Sequence, residues 1–368
     1  MQRDQTIYDI GFDAAWEIDL FGRTQRAVES ADAGMQAAQA DANGVRMSVA
    51  AEVARSYLTL RGAQRELAAR ESSLATLQHT LDLVGRRFEA GDAAQADVDT
   101  AQARFAAAAA GIPVIQARAR AAALGLGVLL GAPPERELDL LETTPPAITL
   151  APIPVGERAD ILRRRPDIHA AERRLAARSA DIGVATAELF PKLSIGAGGG
   201  FQSLDAGSLF ESASQTFSLV PLISWRVFDG GRVRADIRAS EARQEQAALA
   251  YEQAVLVALG DAERALGNYR LGLEAVARQQ VALDAARRSY GHAKMRFESG
   301  DIALTDQLTE ERVLRDVEDT YVRTHTAAAI ELVALFKALG GGWNAGIDMT
   351  DQRGQEAGQQ QVSTVDER

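Results

Sequence analysis

The chain has 368 residues, 46% of them hydrophobic, with a formal net charge of -11 at pH 7 and no cysteine. That length suits one large core or two ordinary ones. The acidic balance supplies no basic field for a phosphate backbone, so nucleic acid is not an expected partner, and the lack of cysteine excludes disulfides, thiolate metal sites and a cysteine-linked lipid within this chain.

Alanine makes up much of the apolar fraction and only 10 prolines interrupt the chain, which suits long helices in close contact. No uninterrupted apolar run reaches about 18 residues, so no transmembrane helix is expected. The start MQRDQTIYDIGFDAAW lacks the basic stretch and apolar core of a signal peptide.

The first element is a strand. In YDIGFDAAWEIDLFG, Tyr8, Ile10, Phe12, Ala14, Trp16, Ile18 and Leu20 alternate with Asp9, Gly11, Asp13, Ala15, Glu17 and Asp19, a period of two. From Thr24 to Ala90 no proline occurs, and at 1.5 Å per residue this predicts a helix of roughly 100 Å. Val53, Leu60, Leu67, Leu74, Leu81 and Phe88 recur every seventh residue along it, a coiled-coil seam. RFEAGD (Arg87 to Asp92) then predicts a sharp reversal, with Gly91 supplying the left-handed backbone that ends a helix. The seam resumes at Val98, Phe105, Ile112, Ala119 and Leu126, so a return helix is expected over 93–130, followed by a mixed connector over 131–160.

A helix over 161–189 is predicted next, starting near Pro166, and then two more alternating strands. The first carries Leu193, Ile195, Ala197, Gly199 and Phe201; the second carries Phe217, Leu219, Pro221, Ile223, Trp225 and Val227. Segments of this length with one apolar face, one polar or glycine face and aromatics toward an end match transmembrane β-barrel strands, although a half-buried soluble sheet gives a similar pattern. Acidic side chains on the polar face suit a water-filled lumen.

The rest of the chain repeats the first half. RFESGD (Arg296 to Asp301) lies 209 positions beyond RFEAGD, and the same offset carries Trp16 to Trp225, Arg23 to Arg232, Asp97 to Asp306, Thr100 to Thr309 and Leu130-Gly131 to Leu339-Gly340. One gapless offset over so long a span implies duplicated rigid elements whose lengths are themselves constrained. A second seam, Tyr269, Val276, Leu283, Tyr290 and Phe297, returns through Leu314, Tyr321, Ala328 and Leu335. The fold class expected is therefore mainly α, with long antiparallel coiled-coil hairpins, a small β part and two tandem repeats. Its divisions are 1–131, a connector at 132–160, a second repeat at 161–343, and a polar tail at 344–368 expected to be disordered.

At this point the chain resembles the TolC-like outer-membrane efflux proteins that serve resistance-nodulation-division pumps. The resemblance rests on LRRRPDIHAAERRLAARSADIGVATAELFPKLSIGAGGGF (Leu162 to Phe201), on the WRVFDGGR turn, on the two RFExGD tips and on FKALGGGW. It covers about residues 7–343. It implies a homotrimer, four strands per protomer in a shared barrel embedded in outer-membrane lipid, and a helical periplasmic tunnel closed by the hairpin tips. The tips would dock on a periplasmic adaptor protein joined to an inner-membrane pump. It implies a passive conduit and no enzyme or cofactor.

The resemblance also implies which residues matter. Arg87, Phe88, Gly91 and Asp92 of the first tip, with Arg296, Phe297, Gly300 and Asp301 of the second, would form the adaptor-docking surface. Asp306 matches carboxylates of the family's periplasmic gate, against the plainer reading of a solvated carboxylate favouring a helix start. Asp97, its counterpart, reads as a helix-start carboxylate. By the offset, counterparts of the Leu162 helix and its following strand would begin roughly 47 residues before Met1, so the N-terminus reads as incomplete, with any signal peptide or acylated cysteine further upstream. A non-channel coiled-coil scaffold and a truncated, non-functional family member are the alternatives.

Other motifs carry less. His79, His169, His292 and His325 have no metal-ligand spacing. Gly198 to Gly200 and Gly340 to Gly342 lack the lysine and strand-loop-helix setting of a phosphate loop. Arg163 to Arg165 read as the approach to a helix with proline in its first turn, and no nucleophile and base stand together as in an enzyme.

Overall fold

A computed structural model describes residues 6–153 and 163–341. The polar tail, Gly342, Trp343 and part of the connector lie outside the described residues. Strand β1 is Tyr8–Ile18, helix α1 is Arg23–Glu89 and α2 is Gln95–Leu129. Then come a 3-10 helix, Pro134–Leu141, helix α3 at Pro166–Ala187, and strands β2 and β3 at Lys192–Ser203 and Gln215–Ser224. Helices α4, Arg232–Glu298, and α5, Leu304–Ala338, complete the order.

The duplication holds to the residue at the level of helices. Helices α1 and α4 each have 67 residues, α2 and α5 each have 35, and adding 209 to both ends of the first pair gives both ends of the second. The backbone repeats too: Gly22, Gly91 and Gly131 have φ of +76°, +82° and +68°, and their counterparts Gly231, Gly300 and Gly340 have +89°, +81° and +72°.

The described residues divide into two compact units, those within 1–42 and 166–256 and those within 43–165 and 257–368. The first holds the sheet, antiparallel in the order β1-β2-β3. Its register pairs Phe12 with Gly199, Trp16 with Ile195, Leu193 with Ile223 and Ala197 with Leu219, so every apolar position predicted within the strands falls on one face. Asp9, Gly11, Asp13 and Glu17 share the other face with Ser194, Gly198, Gln202, Thr216 and Ser218. The apolar face is bare: Phe12 is 76% exposed and Phe217 91%. Gly200 allows the first two strands to approach, since a Cβ there would stand 2.3 Å from the Ile10 carbonyl oxygen.

The strands are shorter than the alternation suggested. β2 begins at Lys192, which pairs with Ser224, so Trp225 and Val227 have no strand opposite them. Trp225 turns away instead, its indole Nε1 donating to the Leu189 carbonyl at 3.0 Å, while Arg226 pairs with Glu188 at 3.1 Å. Leu20 likewise lies past the end of β1, whose last pair is Ile18 with Leu193. Two aspartates start the long helices. Asp19 accepts from the Gln25 amide at 2.8 Å, and Asp229 accepts from Gly231 and Val233 at 2.9 and 2.8 Å, satisfying amides that no helical carbonyl reaches.

The second unit is built on the predicted seams. Leu60, Ala63, Ile115, Ala119, Ala123 and Leu126 form one buried cluster, and Ala265, Tyr269, Leu335 and Ala338 another. The connector lies against this framework. Arg61, 4% exposed, donates to the Leu140 carbonyl and the Thr143 hydroxyl, Gln64 donates to Leu140, and Tyr269 donates to Ala151 at 2.7 Å. One sequence expectation needs amendment: α2 is long and apolar enough, by length and composition alone, to cross a membrane. Alanine gives it that character, and its seam residues pack on α1 in the first of these clusters.

Glu66 ties three helices together. Its carboxylate, 3% exposed, pairs with Arg118 of α2 and, at 2.9 Å, with Arg323 of α5. Burial alone would push its titration up; the hydrogen bonds from Arg323 and Arg118 outweigh that and hold it below 4.5. Glu66→Ala should therefore lower unfolding stability by about 2 kcal/mol at neutral pH, the scale of charge-assisted hydrogen bonds. Because the folded-state value is depressed, this contribution is present above pH 4.5 and fades as pH falls below it. Denaturant unfolding of parent and variant should converge in acid; a constant gap down to about pH 2 would show that ionisation of Glu66 plays no part.

Candidate functional site: the hairpin tips

Both tips have the same skeleton. At the first, the Gly91 amide donates to Phe88 at 2.9 Å and the Asp92 amide to Arg87 at 2.7 Å; at the second, Gly300 donates to Phe297 at 3.0 Å and Asp301 to Arg296 at 2.8 Å. These bonds close the last helical turn over carbonyls that would otherwise be unpaired, and they require positive φ at the glycine. No other heavy atom comes within 4 Å of where a Cβ would sit at Gly91 or Gly300. The need is conformational and not steric.

The carboxylates that follow behave differently. Asp97 reaches back to the Ala94 amide at 3.1 Å, capping α2, and the Asp97 amide bonds the Ala94 carbonyl at 3.0 Å. Asp306 repeats the backbone bond, to Ala303 at 3.1 Å, but its side chain is exposed. Asp301 instead accepts from the Ser299 hydroxyl at 3.0 Å.

Side-chain burial then separates the two tips. Phe88 is 42% exposed, while Phe297 is only 3% exposed, inside a cluster with Leu77, Val84, Ala108, Leu304 and Leu308. That cluster draws on all four tip helices, so the two hairpins share one core. Arg87 crosses between them: its guanidinium lies 4.6 Å from the Phe297 ring centroid, and its Nη2 donates to the Phe297 carbonyl at 3.3 Å. Of the tip residues named from sequence, Phe88, Gly91, Asp92, Arg296, Gly300 and Asp301 are exposed together and Arg87 is half-buried. Nothing in the sequence marks the Arg87–Phe297 contact, because arginine and phenylalanine occupy equal places in both copies of the repeat and only packing makes one a lid and the other its seat. Among the described residues no group of three or more His, Cys, Asp or Glu could hold a metal.

The chain is also similar to known proteins. The family model described as outer membrane efflux protein matches residues 2–132 and 158–341. The chain is 33% identical over 343 residues to the outer membrane protein OprJ of Pseudomonas aeruginosa, covering 92% of this chain and 71% of that protein. It is 32% identical over 348 residues to the pyoverdine export outer membrane protein OpmQ of Pseudomonas putida, covering 94% and 73%. Among solved structures, the outer-membrane channel OprN superposes with a TM-score of 0.84 at 39% identity, over 92% of this chain and 76% of that one. CusC, whose structures describe transmembrane channel formation, superposes with a TM-score of 0.81 at 26% identity, over 92% and 79%.

Replacing Gly300 with Val should destabilise the second tip by about 1–3 kcal/mol, the cost of holding a β-branched residue in the left-handed region. Arg87→Ala should cost about 1 kcal/mol by removing the cation–π contact. Both should show as faster amide exchange at residues 297–308. Unchanged exchange in Arg87→Ala would mean that Phe297 is seated by the apolar cluster alone.

Proposed function

This chain belongs to the outer membrane efflux protein family, and from that premise we propose that it is the outer-membrane channel of a tripartite efflux system. It is a passive conduit that carries small molecules outward after docking to a periplasmic adaptor and an inner-membrane pump. The observation that carries the reading is the sheet. A scaffold of coiled coils has no use for three strands whose aromatic and aliphatic side chains stand bare on one face while carboxylates, glycines and hydroxyls occupy most of the other, interrupted only by Ala15 of β1 and Val220 and Leu222 of β3. Lipid against the first face and water against the second suit both. The match over most of the chain to the outer membrane protein OprJ and the pyoverdine export outer membrane protein OpmQ supports the same reading.

In this reading the protein works as a homotrimer, each protomer offering two similar tips to the adaptor. The exposed set Phe88, Gly91, Asp92, Arg296, Gly300 and Asp301 is the docking surface, and Arg87 and Phe297 set its shape from beneath. Asp306, exposed and free of the capping bond that engages its counterpart, is the gate carboxylate; Asp97 serves the helix start. Three copies of Asp306 at a constriction would attract cations and hinder anions.

Two experiments test this. In planar bilayers, Asp306→Asn should reduce cation preference and weaken block by divalent cations, while Asp97→Asn should change both less; equal behaviour of parent and Asp306→Asn would remove Asp306 from the gate. Placing arginine on the apolar sheet face, as in Leu219→Arg, should cost about 2–4 kcal/mol if that residue faces the bilayer midplane, and so deplete the protein from outer-membrane fractions. Full recovery of Leu219→Arg in those fractions would sink the membrane assignment of the sheet.

A further inference from the structure

The two hairpins share a skeleton but not the side chains that fill one place beside it. In the first, Leu81, Val98 and Gln102 occupy the positions that Tyr290, Gln307 and Glu311 occupy in the second, at the same offset of 209. Two apolar side chains have become polar ones, and a neutral amide has become a carboxyl. Their surroundings differ as well. Gln102 is exposed to solvent, whereas Gln307 is 3% exposed and Glu311 4%. The Gln307 Oε1 and both carboxylate oxygens of Glu311 are shut off from solvent without a hydrogen-bond partner, and the Tyr290 hydroxyl is shut off with no bond of good geometry, although the Gln307 side chain stands near enough to act on it.

Buried polar atoms are nearly always paired, and a buried unpaired carboxylate is among the most costly groups a core can hold. Gln307 and Glu311 are spaced i, i+4 on α5 and so share one face, while Tyr290 approaches from α4. A proton on Glu311 changes the balance. The carboxylic acid has an O–H to donate, Gln307 offers an amide oxygen to accept it, and the Tyr290 hydroxyl can donate to the oxygen that remains.

We propose that Glu311, with Gln307 and Tyr290, is a buried proton-binding site of the second hairpin, packing it firmly when protonated and loosening it when the carboxylate ionises. The charged groups that act on Glu311 are Arg315, on its own helix, and Arg104, on α2. Burial pushes its titration above 4.5, and the two arginines only partly oppose this. The Tyr290 hydroxyl is pushed up as well, by burial first and by the charge of Glu311 second, with Gln307 opposing and the Glu298 charge adding to the rise. A carboxyl with a raised folded-state value stabilises the packed form fully below pH 4.5 and loses that contribution as pH rises through the raised value. The second hairpin thus loosens toward neutral pH. The first, with an uncharged and solvated Gln102 at the matching place, does not.

The test reads hairpin packing and not export, so it stands or falls separately from the channel assignment. Amide exchange of the full chain in detergent micelles is followed between about pH 4.5 and about pH 8, with rates corrected for intrinsic pH dependence. Residues 287–315 are compared with their counterparts 78–106. Protection in 287–315 should fall on the order of tenfold across this range relative to 78–106, and Glu311→Gln, which installs the uncharged amide of the first hairpin, should flatten the profile. Should Glu311→Gln fail to fold, the triple change Tyr290→Leu, Gln307→Val and Glu311→Ala removes every polar atom of the patch; it should be better protected than the parent near neutral pH and insensitive to pH. Matching profiles for the two segments in the parent, or a pH response that survives the triple change, would overturn the proposal.

Discussion

The structure depends on where the backbone is permitted to reverse. A helix of 67 residues continues as long as its residues accept helical φ, and it ends when a positive φ lets the next amides fold back onto its last carbonyls. Gly91 and Gly300 do this at the tips, each followed within a few residues by the return helix. With reversal fixed at those points, seam residues on the outgoing and returning arms meet in register, and small side chains such as Ala119, Ala123 and Ala328 allow the arms to lie close. Had either glycine been displaced by one residue, every later seam position would turn away from its partner by about 100°.

Equal skeletons do not carry equal side-chain roles. The two halves share helix lengths and glycine torsions, yet Phe297 is enclosed where Phe88 is open, Asp97 caps where Asp306 does not, and Glu311 is buried where Gln102 of the first half is solvated. These differences concentrate near the tips, around one shared cluster. The divergence therefore lies in side-chain packing and not in the backbone.

The sheet follows another rule. Its three strands pair so that one face is apolar and the other is polar except for Ala15, Val220 and Leu222, and the apolar face is not covered by any helix of its own unit, Phe217 being 91% exposed. In water this face would be a strong liability. Its compatibility with lipid is what makes a membrane location physically coherent with membership of an outer-membrane family.

Secondary structure to within a few residues, the duplication, the tip turns and the sheet faces were all legible in the sequence alone. Each of these is a local or periodic property: period two sets strand faces, period seven sets seams, and glycine between helical runs sets a reversal. Strand ends at Ile18 and Ser224 needed the sheet itself, because a strand stops where its neighbour stops and alternation continues past that point. Packing in three dimensions settled that Arg87 covers Phe297, that Glu66 serves two arginines on different helices, and that polar atoms of Tyr290, Gln307 and Glu311 are enclosed. The physical reason is that burial is set by which helices meet. Two residues at the same heptad position and in the same motif diverge as soon as one faces a neighbouring hairpin and the other faces solvent.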